Sequence, residues 1–206
     1  MSFLIKRTQR DFRPVSAGPH LAICTTIVGL GVQPSARFEL SEKVLFRWEI
    51  PGEVVTWRDR DGNERTGPAT ISREYTRSLG PKSHLRRDLE GWRGRLFTES
   101  ELRVFDVASF LGKPCLLSIV HKEGGDRVYA NVAVIMAPPP GADPQASGEL
   151  ICFDPDSWDD EVFAKLPRWL QQRINERLIT EPAQRIEREP NTEEAVEREF
   201  NDAIPF

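Results

Sequence analysis

With 206 residues, 39% of them apolar and 29% charged, the chain is long enough for one ordinary domain with extensions and does not call for two. No apolar run approaches the roughly 18 residues of a membrane span, and the N-terminal stretch carrying Lys6, Arg7, Arg10 and Arg13 lacks the apolar core of a signal peptide. The expectation is a cytoplasmic protein with no membrane partner. The net charge of −4 is unevenly spread: residues 1–150 hold 21 Lys+Arg against 18 Asp+Glu, whereas residues 151–206 hold 7 against 14. A mildly basic body suits a polyanionic partner, and an acidic end suits a segment that stays off that polyanion.

In chain order, residues 21–30 are rich in β-branched side chains and end at Gly29 and Gly31, which reads as a strand with a bulge or sharp bend. Residues 43–50 alternate, with Val44, Phe46, Trp48 and Ile50 on one face and Leu45, Arg47 and Glu49 on the other. This predicts a half-buried antiparallel strand stopped by Pro51-Gly52. The polar stretch 57–68 contains Asp61-Gly62-Asn63 and predicts a hairpin loop, with strand character resuming over 69–79. Leu85, Leu89 and Trp92 then recur at helical spacing, predicting an amphipathic helix over 83–92 that ends at Gly91 and Gly94. Thr98 followed by Glu101 is a capping-box pattern, so a further helical turn is expected over 99–105. Two more strands are expected at 114–121 and 127–137, joined by a glycine-containing hairpin loop.

At Pro138-Pro139-Pro140-Gly141 the β-body should end, since this run forbids both helix and central strand. Residues 149–179 are still apolar enough to add a return strand and a docked helix over 167–178. After Thr180 eight acidic residues face three arginines with little apolar content, so residues 181–206 are expected to be a disordered acidic tail. The predicted organisation is therefore a body over 1–150, an accessory segment over 151–180 and that tail. The body, five strands with a helix between the third and fourth, matches the mainly β OB-fold, a five-stranded Greek-key barrel that binds oligonucleotides across one face and its loops.

Cys24, Cys115 and Cys152 are far apart, form no CxxC pair and have no histidine at metal-ligand spacing. They read as structural thiols, and neither a metal nor another cofactor is expected. His20, His84 and His121 are equally scattered and read as surface or core residues.

The last six residues, Asn201-Asp202-Ala203-Ile204-Pro205-Phe206, follow the acidic arm and closely resemble the C-terminal tip of bacterial single-stranded-DNA-binding proteins. In that family the tip docks replication, recombination and repair enzymes. Here the resemblance assigns docking to Asp202, Ile204, Pro205 and Phe206, with Pro205 preorganising the peptide and Phe206 anchoring it through its ring and α-carboxylate. In the body, Phe105-Asp106-Val107, Leu111-Gly112-Lys113-Pro114-Cys115, His121 and Tyr129-Ala130-Asn131-Val132 resemble phage replication-module OB proteins. The two likenesses cover about residues 20–140 and the extreme C-terminus. The Arg-rich helix and residues 149–179 depart from cellular single-strand-binding proteins, so the tetrameric assembly of those proteins is not carried over and a homo-oligomer stays open.

Single-strand binding needs cations for phosphates and flat rings for bases. Residues 73–95 are the densest basic stretch, with Arg73, Arg77, Lys82, Arg86, Arg87, Arg93 and Arg95 around Tyr75. They read either as a phosphate-tracking patch or as a solvated helix face. Trp57 is the expected stacking ring, whereas Trp48 and Trp92 belong to apolar stripes. Arg47, Tyr129 and Asn131 fall on the polar faces of their strands and complete the expected DNA-binding set. Two other functions fit parts of the chain: a Mg-dependent nuclease using the cluster Asp154, Asp156, Asp159 and Asp160, and an adaptor that docks proteins without binding nucleic acid.

Overall fold

The computed structural model describes residues 14–34, 40–58, 62–125 and 127–177. Their elements are β1 (Gly18–Pro34), β2 (Leu40–Arg58), β3 (Glu64–Thr76), α1 (His84–Arg93), α2 (Glu99–Arg103), a 3-10 turn (Val107–Phe110), β4 (Pro114–Gly124), β5 (Arg127–Met136), β6 (Ile151–Phe153), a second 3-10 turn (Pro155–Ser157), α3 (Asp160–Lys165) and α4 (Arg168–Asn175). The long strands form one curled antiparallel sheet in the order β3-β2-β1-β4-β5. This is a mainly β half-barrel with the OB strand order.

Alternation along β2 works as the sequence implies: Val44, Phe46, Trp48 and Ile50 all point into the barrel. Trp48 is fully buried, with its ring 5.9 Å from that of Phe46 and 6.0 Å from that of Trp92 on α1. Helix α1 is capped by Ser83, whose hydroxyl accepts from the Arg86 amide, and by Gly94 in the left-handed conformation that glycine favours. Its stripe of Leu85, Leu89 and Trp92 closes one end of the barrel. Val15, just before β1, is buried in the same core, and the chain around it is held by His121 Nε2 on the Val15 carbonyl and by Glu53 on Ser16.

β1 serves two cores. A bulge between Cys24 and Thr26 shifts the alternation, so that Ala22, Cys24 and Ile27 face the barrel while Val28 and Leu30 face outward. Outside, Val28, Leu30 and Leu45 are covered by Phe153, Leu166, Leu170 and Ile174 of the C-terminal segment. β6 is hydrogen-bonded parallel to β1 over Thr26–Val28, next to the part of β1 that pairs with β4. The two glycines anticipated as a bend do mark a register shift, and they also make room. A Cβ on Gly29 would lie 2.7 Å from the Pro155 ring, and one on Gly31 the same distance from Arg177. Buried Gln33 ties the layers together by donating 2.9 Å hydrogen bonds to the Leu30 and Arg173 carbonyls.

Several boundaries differ from the sequence reading. Pro51-Gly52 does not stop β2; the register slips between Ile50 and Val54, a bulge that absorbs the proline's missing donor, and the strand runs on to Arg58. Residues 57–68 are consequently not all loop, because Val54, Val55, Thr56, Trp57 and Arg58 pair with Pro68 back to Glu64. β3 thus starts at Glu64 and ends at Thr76, earlier at both ends than expected. α3 was not anticipated, and α4 covers the helix expected over 167–178 only as far as Asn175. The acidic tail, with Asp202, Ile204, Pro205 and Phe206, lies outside the described residues.

Gly91 on α1 sits so close to β5 that a Cβ would meet the Ile135 carbonyl oxygen at 2.6 Å. Gly91→Ala is therefore expected to push the helix off the sheet and lower the unfolding midpoint by several degrees. A thermal melt against wild type checks this.

Candidate functional site

Two hairpins extend from the sheet as arms. One is the end of β2 with the start of β3, turning at Gly62, whose φ is +83°; the other joins β4 to β5 past Gly125, whose φ is +61°. On the first arm Val55 packs against the barrel core, and Trp57, two residues on, shares that face. Gly67 lies beneath the indole, where an added Cβ would come within 3.1 Å of the ring, so the strand supports the ring edge and leaves Trp57 47% exposed.

On the second arm Ile119 and Val132 face the core, so Tyr129 and Asn131 face outward. Tyr129 is also 47% exposed, stands opposite Lys122 and rests against Gly124. Lys122 and Arg127 are exposed on the same arm, and the Asn131 amide donates to the Tyr129 carbonyl. The two arms thus each present one exposed aromatic ring, and the second adds cations close by.

The dense basic stretch 73–95 is not one charged face. Arg73 and Tyr75 sit on the inward parity of β3. Asp88, only 3% exposed, forms an ion pair with Arg73 Nη1 at 2.9 Å and accepts from the Tyr75 hydroxyl at 3.0 Å, and the same Arg73 nitrogen donates to the Val132 carbonyl of β5 at 2.9 Å. Burial, with Asp88 adding to it, holds the Tyr75 hydroxyl protonated far above the ordinary tyrosine range. Arg77 is bound by Glu42, Asp154 and Asp156, Arg86 by Glu90, and Arg87 by Asp88. Arg93 and Arg95 share Glu101. Lys82 is exposed in the turn before α1. Counting cations along the sequence could not reveal most of these pairings, since the carboxylates that meet Arg73, Arg77, Arg93 and Arg95 come from other elements.

Arg47 lies on the outer face of β2, where its guanidinium donates to Thr70 Oγ1 at 3.0 Å. Burial lowers its pKa from the usual arginine value. Its neighbour Glu49 is buried and accepts from the Ser147 amide and hydroxyl, both at 2.8 Å, which pins the proline-rich crossing onto the sheet. The four clustered aspartates have structural partners as well. Asp154 and Asp156 bind Arg77, Asp159 caps α3 through the Glu161 and Val162 amides, and Asp160 accepts from the Trp158 indole. The thiols of Cys24 and Cys115 are buried and shifted upward by desolvation. Among the described residues no helix is long and apolar enough to cross a membrane.

Compared with models of known protein families and with curated protein sequences, the chain matches none.

The geometry makes Arg73 a structural residue. Arg73→Ala leaves the buried Asp88 carboxylate without its closest cation and is expected to cost about 3–5 kcal/mol of stability, while Arg87→Ala, at the exposed side of the same carboxylate, should cost far less. Urea unfolding of the two variants separates the roles.

Proposed function

We propose that the protein binds single-stranded nucleic acid, single-stranded DNA in the first instance, along the two hairpin arms of its OB-type sheet. The observation that carries this reading is the pair of exposed rings, Trp57 and Tyr129, on two arms projecting from a sheet whose strand order is that of oligonucleotide-binding barrels. Every base has a π-face, so rings of this kind hold a strand with little regard to sequence, while Lys122 and Arg127 meet phosphates.

The paired arginines of residues 73–95 move the proposed contact surface away from α1. Arg47, Asn131 and Lys82 stay as peripheral candidates, and Arg87 keeps an exposed guanidinium face. The tail beyond the described residues belongs to the same proposal through its sequence alone: an acidic tether with an Ile-Pro-Phe tip suits a small apolar pocket with a basic rim on a replication, recombination or repair protein.

Titrating a fluorescent oligo-dT at several salt concentrations tests the central claim. Affinity is expected to fall steeply as salt rises and to exceed that for duplex of equal length. Trp57→Ala should lose roughly 1–3 kcal/mol of binding with an unchanged melting temperature. Equal affinity for duplex and single strand, or a Trp57→Ala variant that binds like wild type, would overturn the assignment.

The tail has a separate readout. Deleting residues 202–206 is expected to leave oligo-dT affinity equal or slightly raised while removing partner proteins from pull-downs out of bacterial extract. An identical partner list for both forms would show that these residues dock nothing.

A further inference from the structure

A pocket of about 400 Å³ opens beside α1, α2 and the beginning of β4, lined by Trp92, Arg93, Arg95, Glu101, Phe105 and Lys113 among others. Its volume falls within the range of about 300–1,000 Å³ common to small-molecule sites. It lies at the opposite end of β4 from the hairpin turn: ten residues separate Pro114 from Gly124, roughly 33 Å of strand. A mononucleotide bound there does not reach Tyr129, which stands opposite Lys122 near the other end of β4.

The lining is chemically lopsided, with three cations facing one carboxylate. Glu101 closes the capping box on Thr98 and also takes both guanidiniums, Arg95 in a two-pronged pair at 2.8 and 3.0 Å. The hydrogen bonds from Arg95 first, and then from the Thr98 amide, bring its pKa down to about 2, so it stays ionised and its charge is spent. One guanidinium charge and the exposed Lys113 ammonium are left over. The Arg93 guanidinium lies over two rings, its carbon 4.4 Å from the Phe97 centroid and 5.2 Å from that of Phe105, and its Nη1 is buried without a hydrogen-bond partner. Trp92, Phe105 and Pro138 give the pocket apolar walls, with the indole N–H already committed to the Pro114 carbonyl at 2.7 Å.

We propose that this pocket binds a phosphate group carried on a flat ring, the chemistry of a nucleotide. The doubly charged phosphate meets the two uncompensated cations, with donors on Lys113 and on the edges of Arg95 that Glu101 does not use. The ring lies against the walls at Phe105 and Pro138. The same group occurs on a free nucleotide and at the 5′ end of a nucleic-acid strand. The site is independent of strand binding along the arms.

Adenosine monophosphate, inorganic phosphate, and oligo-dT with and without a 5′-phosphate are titrated against the full chain by calorimetry. Wild type is expected to bind adenosine monophosphate saturably and more tightly than inorganic phosphate, with affinity at least tenfold lower in Lys113→Glu and retained in Lys113→Arg. Lys113 is exposed, and its fold contacts run through its backbone, so Lys113→Glu should melt like wild type. If the 5′-phosphate strengthens oligo-dT binding in wild type but not in Lys113→Glu, the strand end is the source; if only the mononucleotide depends on Lys113, the free nucleotide is. Trp57→Ala separates this site from the arms, since it should weaken oligo-dT without changing the mononucleotide titration. No saturable binding of any phosphate probe, or equal binding by wild type and Lys113→Glu, overturns the proposal.

Discussion

A five-stranded sheet that curls without closing leaves two edges whose backbone groups still need partners, and here those edges are β3 and β5. The Arg73 guanidinium stands in the gap, bonding the Val132 carbonyl of β5 on one side and the Asp88 carboxylate of α1 on the other. A single planar cation thereby closes the half-barrel and fixes the helix beneath it. Tyr75 completes the arrangement by donating to the same carboxylate and lending its ring, 5.0 Å from the guanidinium carbon, to the cation. A buried charge is tolerated only when its partners are this complete. The helix position that follows puts Gly91 against the β5 backbone and Trp92 between Phe46, Trp48 and Phe110.

The C-terminal segment adds a second layer on the other side of β1. Apolar residues at Val28, Leu30 and Leu45 would otherwise form an exposed patch on the outer face of the sheet. Phe153, Leu166, Leu170 and Ile174 cover them, and Arg77 reaches across to Asp154 and Asp156. Most of the outer β1–β2 surface is thus spent on stability. The C-terminal segment exposes Trp158 and Trp169 as well, but the two arms carry Trp57 and Tyr129 on strands of the sheet itself, with Lys122 and Arg127 exposed beside Tyr129, and the proposed strand contact rests on them.

Much of this architecture was legible in local patterns, because local physics sets them. Period-two alternation over 43–50 placed Trp48 inside, helical spacing of Leu85, Leu89 and Trp92 gave α1, and Thr98 with Glu101 announced the capping box that α2 carries. The limits of β2 and β3 were not legible: proline and glycine at 51–52 break a strand by propensity, yet a bulge accommodates them when the flanking residues have partners across the ladder. Gly29 and Gly31 announced a bend but not the segment, more than a hundred residues away in the chain, that packs on them.

The candidate site divides the same way. The outward parity of Tyr129 follows from counting along its strand, so the sequence by itself determined that direction, whereas Trp57, expected in a loop, owes its exposure to a strand that runs on past the bulge at Ile50–Val54 and beyond the barrel core. Whether a cation is free depends on which carboxylates folding brings to it, and only the tertiary structure decided that. Arg73 met Asp88, Arg77 met Glu42, Asp154 and Asp156, and Arg93 and Arg95 met Glu101. Side-chain direction is a local property of the backbone, whereas charge neutralisation depends on distance through space, and most of these partners lie too far along the chain for sequence spacing to pair them.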